Sequence, residues 1–179
     1  MRNLILIVIS FVMLFNAASA QAEERDRGIE LYQAGKFEEA VGVLTKVVEA
    51  DPEKNKVAWT YLGGALMNLG RKDDAIAAFK KPVGGPEAPK VEKSIKIIRK
   101  APANYTNLAR SNNVNGTVFL VVELKADGKI GFVVPIKELP DGLTDNAIAS
   151  AKSIKFKPAV KNGQPVTQIR MLSYGFNTY

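Results

Sequence analysis

The spacing of apolar residues changes character three times along the chain. From Leu4 to Phe15 the run is apolar at every position except Ser10. Between Gln21 and Pro82 apolar residues recur at helical intervals with small residues interleaved. Beyond Pro102 the period falls to two. Val118, Leu120, Val122 and Leu124 alternate in one run, and Ile130, Phe132, Val134 and Ile136 carry a matching apolar face in the next. Alternation of this kind predicts two half-buried strands, and Asp127-Gly128 between them predicts a hairpin. Helical spacing returns from Leu143 to Ser153, with Thr144 as the expected N-cap and Ala147, Ile148 and Ala151 facing the sheet. The run Ile154 to Ala159 follows. Asn162-Gly163 then turns the chain into a last alternating run that ends near Phe176, and Pro165 suits a strand start or an edge. The C-terminal unit reads as ββαβ, an antiparallel sheet with one packed helix.

The helical region is internally repeated. Gly28, Gly35, Ala40 and Leu44 recur as Gly63, Gly70, Ala75 and Phe79 at a constant offset, with Asp51-Pro52 closing the first unit and Trp59 and Leu62 opening the second. Small residues let paired helices approach, and Leu44, Val47, Phe79 and Trp59 are expected to fill the space between them. This pattern resembles the tetratricopeptide repeat, whose period is about 34 residues. Two units fall short of the three usually needed for a stable array. Either the pair docks on something, or Val91, Ile95 and Ile98, at i, i+4 and i+7, form a capping helix within Lys90 to Lys100. Two roles stay open for the repeats, a concave face for a second protein or a spacer and dimerisation unit.

Pro82 to Pro89 holds three prolines and two glycines in eight residues, cannot continue a helix, and marks the boundary between the two regions. Eight residues span under roughly 30 Å, so this connector holds its neighbours side by side. The expected organisation is a signal peptide at 1–20, a repeat pair at 21–82, a linker and connecting helix at 83–101, and a sheet domain at 102–179. The fold class is α+β, all-α hairpins followed by the small sheet.

Composition removes several classes of function. An apolar content of 46% fits a folded chain and excludes wholesale disorder. There is no cysteine and no histidine, which removes disulfides, thiolate metal sites, cysteine nucleophiles and the usual neutral-pH base. Ser111, Ser150, Ser153 and Ser173 therefore lack an activating imidazole, and Asp141 and Asp145 read as turn and helix-start residues. No catalytic residue, metal ligand or cofactor is expected. Charge is uneven: residues 21–82 carry 10 basic and 11 acidic side chains, whereas residues 83–179 carry 14 and 7. Such a basic half could serve anionic lipid, acidic protein or nucleic acid, or simply solubility. Its lysines are scattered singly and no aromatic stacking motif lies among them, so nucleic acid is not expected.

The residues beyond Pro102 carry a second resemblance. Pro102, Tyr105 and Ala109 precede Gly116-Thr117-Val118 and Asp127-Gly128-Lys129-Ile130. Leu143, Ala147, Phe156-Lys157-Pro158-Ala159, Asn162-Gly163 and Pro165-Val166 follow. In order and spacing this resembles the TonB C-terminal domain, with Thr106 in place of a common proline and Ile154 in place of a common aromatic. The resemblance implies a periplasmic domain that binds an extended segment of outer-membrane receptors by strand addition beside its last strand. On this chain that edge is Val166 to Tyr174, with Gln168, Arg170 and Leu172 on one face and Met171 and Tyr174 also along it. Closure of the edge by a second copy, a homodimer, is the alternative.

The same resemblance frames two functions. One is a periplasmic adaptor whose edge captures an envelope protein, such as a TonB-dependent receptor, while the repeats hold a second partner. The other is a membrane-anchored energy transducer coupling the proton-motive force to outer-membrane transport. Energy-transducing members resemble an anchor joined by a long proline-rich tether to this domain; here the connector is short. Met1-Arg2-Asn3, the apolar run and Ala18-Ser19-Ala20 read as a signal peptide cleaved before Gln21, with no cysteine to make it a lipoprotein signal. Export to the periplasm is expected, and membrane contact only if the segment is kept. Mass spectrometry of the mature protein is expected to give an N-terminus at Gln21, and a retained Met1 in a membrane extract would favour the anchored form.

Overall fold

A computed structural model describes residues 20–53, 55–82 and 85–177. The apolar run Leu4–Phe15, with Ala18 and Ser19, lies outside the described residues. Four helices come first: α1 over residues 20–33, α2 Phe37–Ala50, α3 Lys56–Asn68 and α4 Lys72–Lys80. Gly35 and Gly70 end α1 and α3 in the left-handed conformation, at φ 75° and 77°. The sequence repeat is thus one turn used twice. A Cβ on Gly28 would stand 2.6 Å from the Leu44 side chain, and one on Gly63 2.6 Å from the Phe79 ring. These glycines are the close approach of each helix pair. Trp59 is only partly buried, and its indole N–H donates to the Pro52 carbonyl at 3.0 Å, which fixes the turn between the units.

The sheet region holds β1 (Lys96–Arg99), α5 (Asn107–Ser111), β2 (Gly116–Leu124), β3 (Ile130–Lys137), α6 (Leu143–Lys152), β4 (Lys155–Lys157), β5 (Ala159–Lys161), β6 (Gln164–Val166) and β7 (Gln168–Phe176). The central sheet is antiparallel in the order β3-β2-β7, and β1–β4 and β5–β6 form two separate ribbons. This is an α+β fold of helical hairpins followed by a small antiparallel sheet. Asp127-Gly128 turns the β2–β3 hairpin, with Gly128 at φ 80° and the Asp127 carboxylate accepting from the Lys129 N–H at 3.0 Å. That bond holds the exposed Asp127 carboxyl below the usual range.

Both faces of the sheet are buried. Val118, Leu120, Val122 and Leu124 pack with Leu143, Ala147 and Ala151 of α6 and with Tyr174 and Phe176 of β7. On the opposite face Val121 and Ile169, with Phe132 and Ile136, join the core of the helical repeats. The structure is therefore three layers, α6, sheet and repeats. The two apolar runs of the hairpin do not share a face as expected. In β3 the register slips between the pairs Val122↔Val133 and Leu124↔Ile130, which inserts one extra residue. Ile130 thereby packs with the α6 side, while Phe132 and Ile136 turn to the repeats.

Two local expectations need correction. Residues 90–100 form no capping helix: Lys96–Arg99 is a strand paired with β4, and the preceding stretch is extended. β-Branched Val91, Ile95, Ile97 and Ile98 favour extended backbone, and the backbone there finds partners outside any helix. Glu92 and Lys93 donate to the Val160 carbonyl at 3.0 and 3.2 Å, and Val160 donates back to Lys93 at 2.9 Å. At α6 the N-cap is Gly142, at φ 78°, while the Thr144 hydroxyl bonds both the N–H and the carbonyl of Leu139.

Gly64 lies at the joint between layers, where a Cβ would collide with Ile169 of β7. Gly42 on α2 faces open space. Gly64→Ala is expected to destabilise the protein by about 1–3 kcal/mol through overpacking, whereas Gly42→Ala is expected to stabilise it by about 0.5–1 kcal/mol. Urea melts of the two variants check this pair.

Candidate functional site at the edge of the last strand

Strand β7 is nine residues long and pairs in full register with β2, from Gly116↔Phe176 to Leu124↔Gln168. It stands last in the sheet, so no strand of the central sheet lies on its other side. Residues opposite one another share a face. Gln168, Arg170, Leu172 and Tyr174 thus lie on the α6 side with Leu124, Val122, Leu120 and Val118, as expected of the first three. Met171 lies with Val121 on the repeat side. The Ser173 carbonyl accepts from the Lys100 ammonium at 2.9 Å, outside the sheet. Backbone groups alternate in direction along an antiparallel strand. Met171, Ser173 and Gly175 therefore aim their N–H and C=O groups away from β2, and Ser173 and Gly175 are exposed.

The six expected edge residues are not equivalent. Val166 is not on this strand: it ends β6, pairs with Ala159, and lines a cleft of about 460 Å³ with Ile29, Gln33, Tyr61, Pro89 and Val91. Thr167 separates it from β7. The reason is a hub of bonds at Thr167, whose carbonyl accepts from Gln33 Nε2 at 2.7 Å and Tyr61 Oη at 3.1 Å. Its N–H donates to Gln33 Oε1 at 3.0 Å, and its hydroxyl accepts from the Ala126 N–H at 3.1 Å. Gln168 is fully buried, donates to the Pro89 carbonyl at 3.4 Å and accepts from Arg170 at 2.9 Å. Met171 packs on Gly85 of the connector, where an added Cβ would stand 2.6 Å from the Met171 Sδ. Leu172 packs on the α6 core. Tyr174 is buried under the Lys100 ammonium, 4.4 Å from the ring centroid, and its burial pushes the phenol pKa up. The open part of the edge is thus Met171 to Gly175.

The joint that holds this strand against the repeats was not foreseen. Tyr32 of α1 donates its hydroxyl to the carboxylate of Glu123, which is 5% exposed within β2. Gly131, opposite on β3, leaves the space that this carboxylate fills. Tyr32 meets Tyr61 edge to face at 5.1 Å. Burial pushes both phenols well above the ordinary tyrosine value; the Glu123 charge adds to the shift at Tyr32, and the Arg170 charge opposes it at Tyr61. A charged residue inside an otherwise apolar run was the available signal. The surface made by α1 and α3 is consequently filled by the chain's own sheet, a docking that a pair of repeats needs.

Two of the four candidate serines have structural roles. Ser150 donates to the Pro102 carbonyl at 3.0 Å and Ser153 to the Ser150 carbonyl at 2.8 Å. Asp141 sits at φ 60° and accepts from Asn112 at 2.8 Å. Thr106 caps α5, accepting from the Ala109 N–H at 3.0 Å and donating to the Asp141 carbonyl at 2.7 Å, so it fits the place of the missing proline.

An edge strand fixed between two covered faces, beside a pair of helical repeats, defines a protein-interaction chain. Comparison with known proteins agrees. Residues 101–178 match the family described as Gram-negative bacterial TonB protein C-terminal, and residues 25–89 match the tetratricopeptide repeat. Neither match spans half of the chain: residues 101–178 are similar to the first family and residues 25–89 to the second, both of them non-catalytic interaction families. The description of the first family is of a Gram-negative bacterial protein. A solved structure, the solution NMR structure of the Pseudomonas aeruginosa TonB C-terminal domain, is similar at 22% identity with a TM-score of 0.40, over 48% of this chain and 87% of that one. Among curated proteins no match was found. No described helix is long and apolar enough to cross a membrane.

Tyr32→Phe leaves the buried Glu123 carboxylate without its donor and is expected to cost about 1–3 kcal/mol. In the unfolded chain Tyr32 and Tyr61 ionise near pH 10, whereas the folded protein holds both protons. Stability from these groups is complete below about pH 10 and falls as pH rises beyond it. Denaturant melts across that range are expected to show the fall, and a shallower one in Tyr32→Phe.

Proposed function

We propose that the protein is a periplasmic adaptor that captures an extended segment of an envelope protein by strand addition at β7, the N-terminal segments of TonB-dependent outer-membrane receptors being the leading candidates. The observation that carries this reading is a nine-residue strand paired on one side only. Unpaired backbone groups along such an edge supply affinity for any chain that completes the ladder. The exposed stretch around Ser173 and Gly175 offers the place where an incoming backbone meets no side chain of its own sheet. Lys100 now occupies the Ser173 carbonyl, and an incoming N–H would replace it.

The connector favours an adaptor over a force-transmitting transducer. It is pinned at Glu87, whose N–H donates to Thr60 Oγ1 at 2.9 Å, at Pro89 by Gln168, and at Glu92, whose carboxylate accepts from Asn162 and Gly163 at 2.6 and 3.3 Å. Held at these points, the connector lacks the reach that a membrane-anchored transducer needs to span a periplasm. A second partner for the repeats would use α2, because α1 and α3 face the sheet and α4 packs on it through Phe79 against Phe132 at 5.9 Å.

Synthetic peptides covering receptor N-terminal segments, titrated into the isotope-labelled protein, test the reading. Amide shifts are expected at Met171, Ser173 and Gly175 and not at Arg170, Leu172 or Tyr174, whose amides face β2. Ser173→Pro removes one outward donor from an exposed position and is expected to weaken binding about tenfold or more while leaving the melt unchanged. Equal binding by Ser173→Pro, or shifts confined to the repeats, would reject strand addition here.

A further inference from the structure

We propose that the outer face of the β1–β4 ribbon is a docking surface for an anionic phospholipid membrane. In this ribbon Lys96 stands directly opposite Lys157, and Arg99 directly opposite Lys155. Opposite residues of an antiparallel pair point to the same face, as do Lys155 and Lys157 two residues apart. Four cations therefore share one face, about 5 Å apart across the ribbon and about 7 Å along it. All four are exposed, and none makes an ion pair among the described residues. Like charges placed opposite one another destabilise a strand pair. Two such pairs in a ribbon of four and three residues oppose its formation.

The ribbon forms because its other face is anchored. Phe156, between the two lysines of β4, is 6% exposed and belongs to the α6 core. The cations are thus held outward on a fixed support. Between the two charge pairs β1 carries one extra residue, Ile98, which is 61% exposed, whereas Ile97 stands opposite Phe156 and shares its face. An exposed apolar side chain between pairs of cations suits the boundary between phosphate headgroups and acyl chains. An acidic protein segment would neutralise the charge but leave Ile98 in water. The face also carries donors only, with no acceptor to fix the register of a peptide. A diffuse layer of phosphates needs no register, and a basic patch gains from each cation brought near it. The periplasmic place proposed above lies within reach of such surfaces. The inference does not depend on strand capture at β7.

Vesicle sedimentation tests it, with wild type and variants sharing the same N-terminus. Vesicles of phosphatidylglycerol and phosphatidylcholine in equal parts are compared with phosphatidylcholine alone. Binding is expected only to the anionic vesicles, and is expected to be lost as ionic strength rises from about 0.05 to about 0.5 M. A variant combining Lys96→Gln, Arg99→Gln, Lys155→Gln and Lys157→Gln is expected to bind about tenfold or more weakly and to melt at an equal or higher temperature, since it relieves the repulsion. Ile98→Ser, which keeps every charge, is expected to weaken binding severalfold. A control that loses the same charge from the repeats, by Lys36→Gln, Lys46→Gln, Lys72→Gln and Lys80→Gln, is expected to bind as wild type does. Unchanged binding in the ribbon variant, equal loss in the control, or tighter binding to a polyglutamate peptide than to the vesicles would each overturn the proposal.

Discussion

A three-stranded sheet with two apolar faces cannot stand on one helix, and that constraint governs the rest of this structure. Helix α6 covers the face formed by Val118, Leu120, Val122 and Leu124. The face formed by Val121, Ile169, Phe132 and Ile136 needs a second layer, and the helical repeats supply it. The need is mutual. Two repeats bury too little between themselves to be stable alone, and the sheet gives α1 and α3 the neighbour that a third repeat would otherwise be. Domain boundaries read from composition thus divide the sequence but not the core.

Covering both faces changes what the sheet can recognise. Along β7 the side chains of Gln168, Ile169, Tyr174 and Phe176 are buried, so they stabilise the layers and are unavailable to a partner. What remains is backbone, chiefly near Ser173 and Gly175. A backbone edge gives affinity with little selectivity, because every extended chain offers the same donors and acceptors. Selectivity must then come from what flanks the edge, and the nearest group is Lys100, which already holds the Ser173 carbonyl and lies over Tyr174. A partner that reaches this strand competes with a cation, not with water alone.

The strands, α6, the repeats and the turn at Gly128 were legible because each is a local pattern: period two, period 3.6, a repeated glycine, a hairpin dipeptide. The errors fall where a distant contact decides the outcome. Ile130 changes face because of an extra residue in β3, and nothing in its own run announces a bulge. Val166 looks continuous with the last strand until Gln33 and Tyr61, more than a hundred residues earlier, capture Thr167 and break it. The spacing of Val91, Ile95 and Ile98 suits a helix, but Val160 and β4 offer that backbone better partners. Gly64 reads as part of the repeat motif beside Gly63, yet the two serve different neighbours: Gly63 admits Phe79 of its own hairpin, Gly64 admits Ile169 of the sheet.

Two places in the chain break the rules of local structure, and comparing them separates fold from function. Glu123 puts a carboxylate inside a buried strand, a costly act, but Tyr32 donates to it and Gly131 makes room for it. Every element of that exception is answered within the molecule, and its result is structural: it locks the repeats to the sheet. The paired cations of the β1–β4 ribbon meet no acidic partner among the described residues. Sequences that fold well are locally consistent, and exceptions left uncompensated concentrate where a protein meets something else. By that criterion the buried acid belongs to the architecture and the exposed bases to an interface. The basic excess of the C-terminal half is then a placed charge rather than a general coating for solubility.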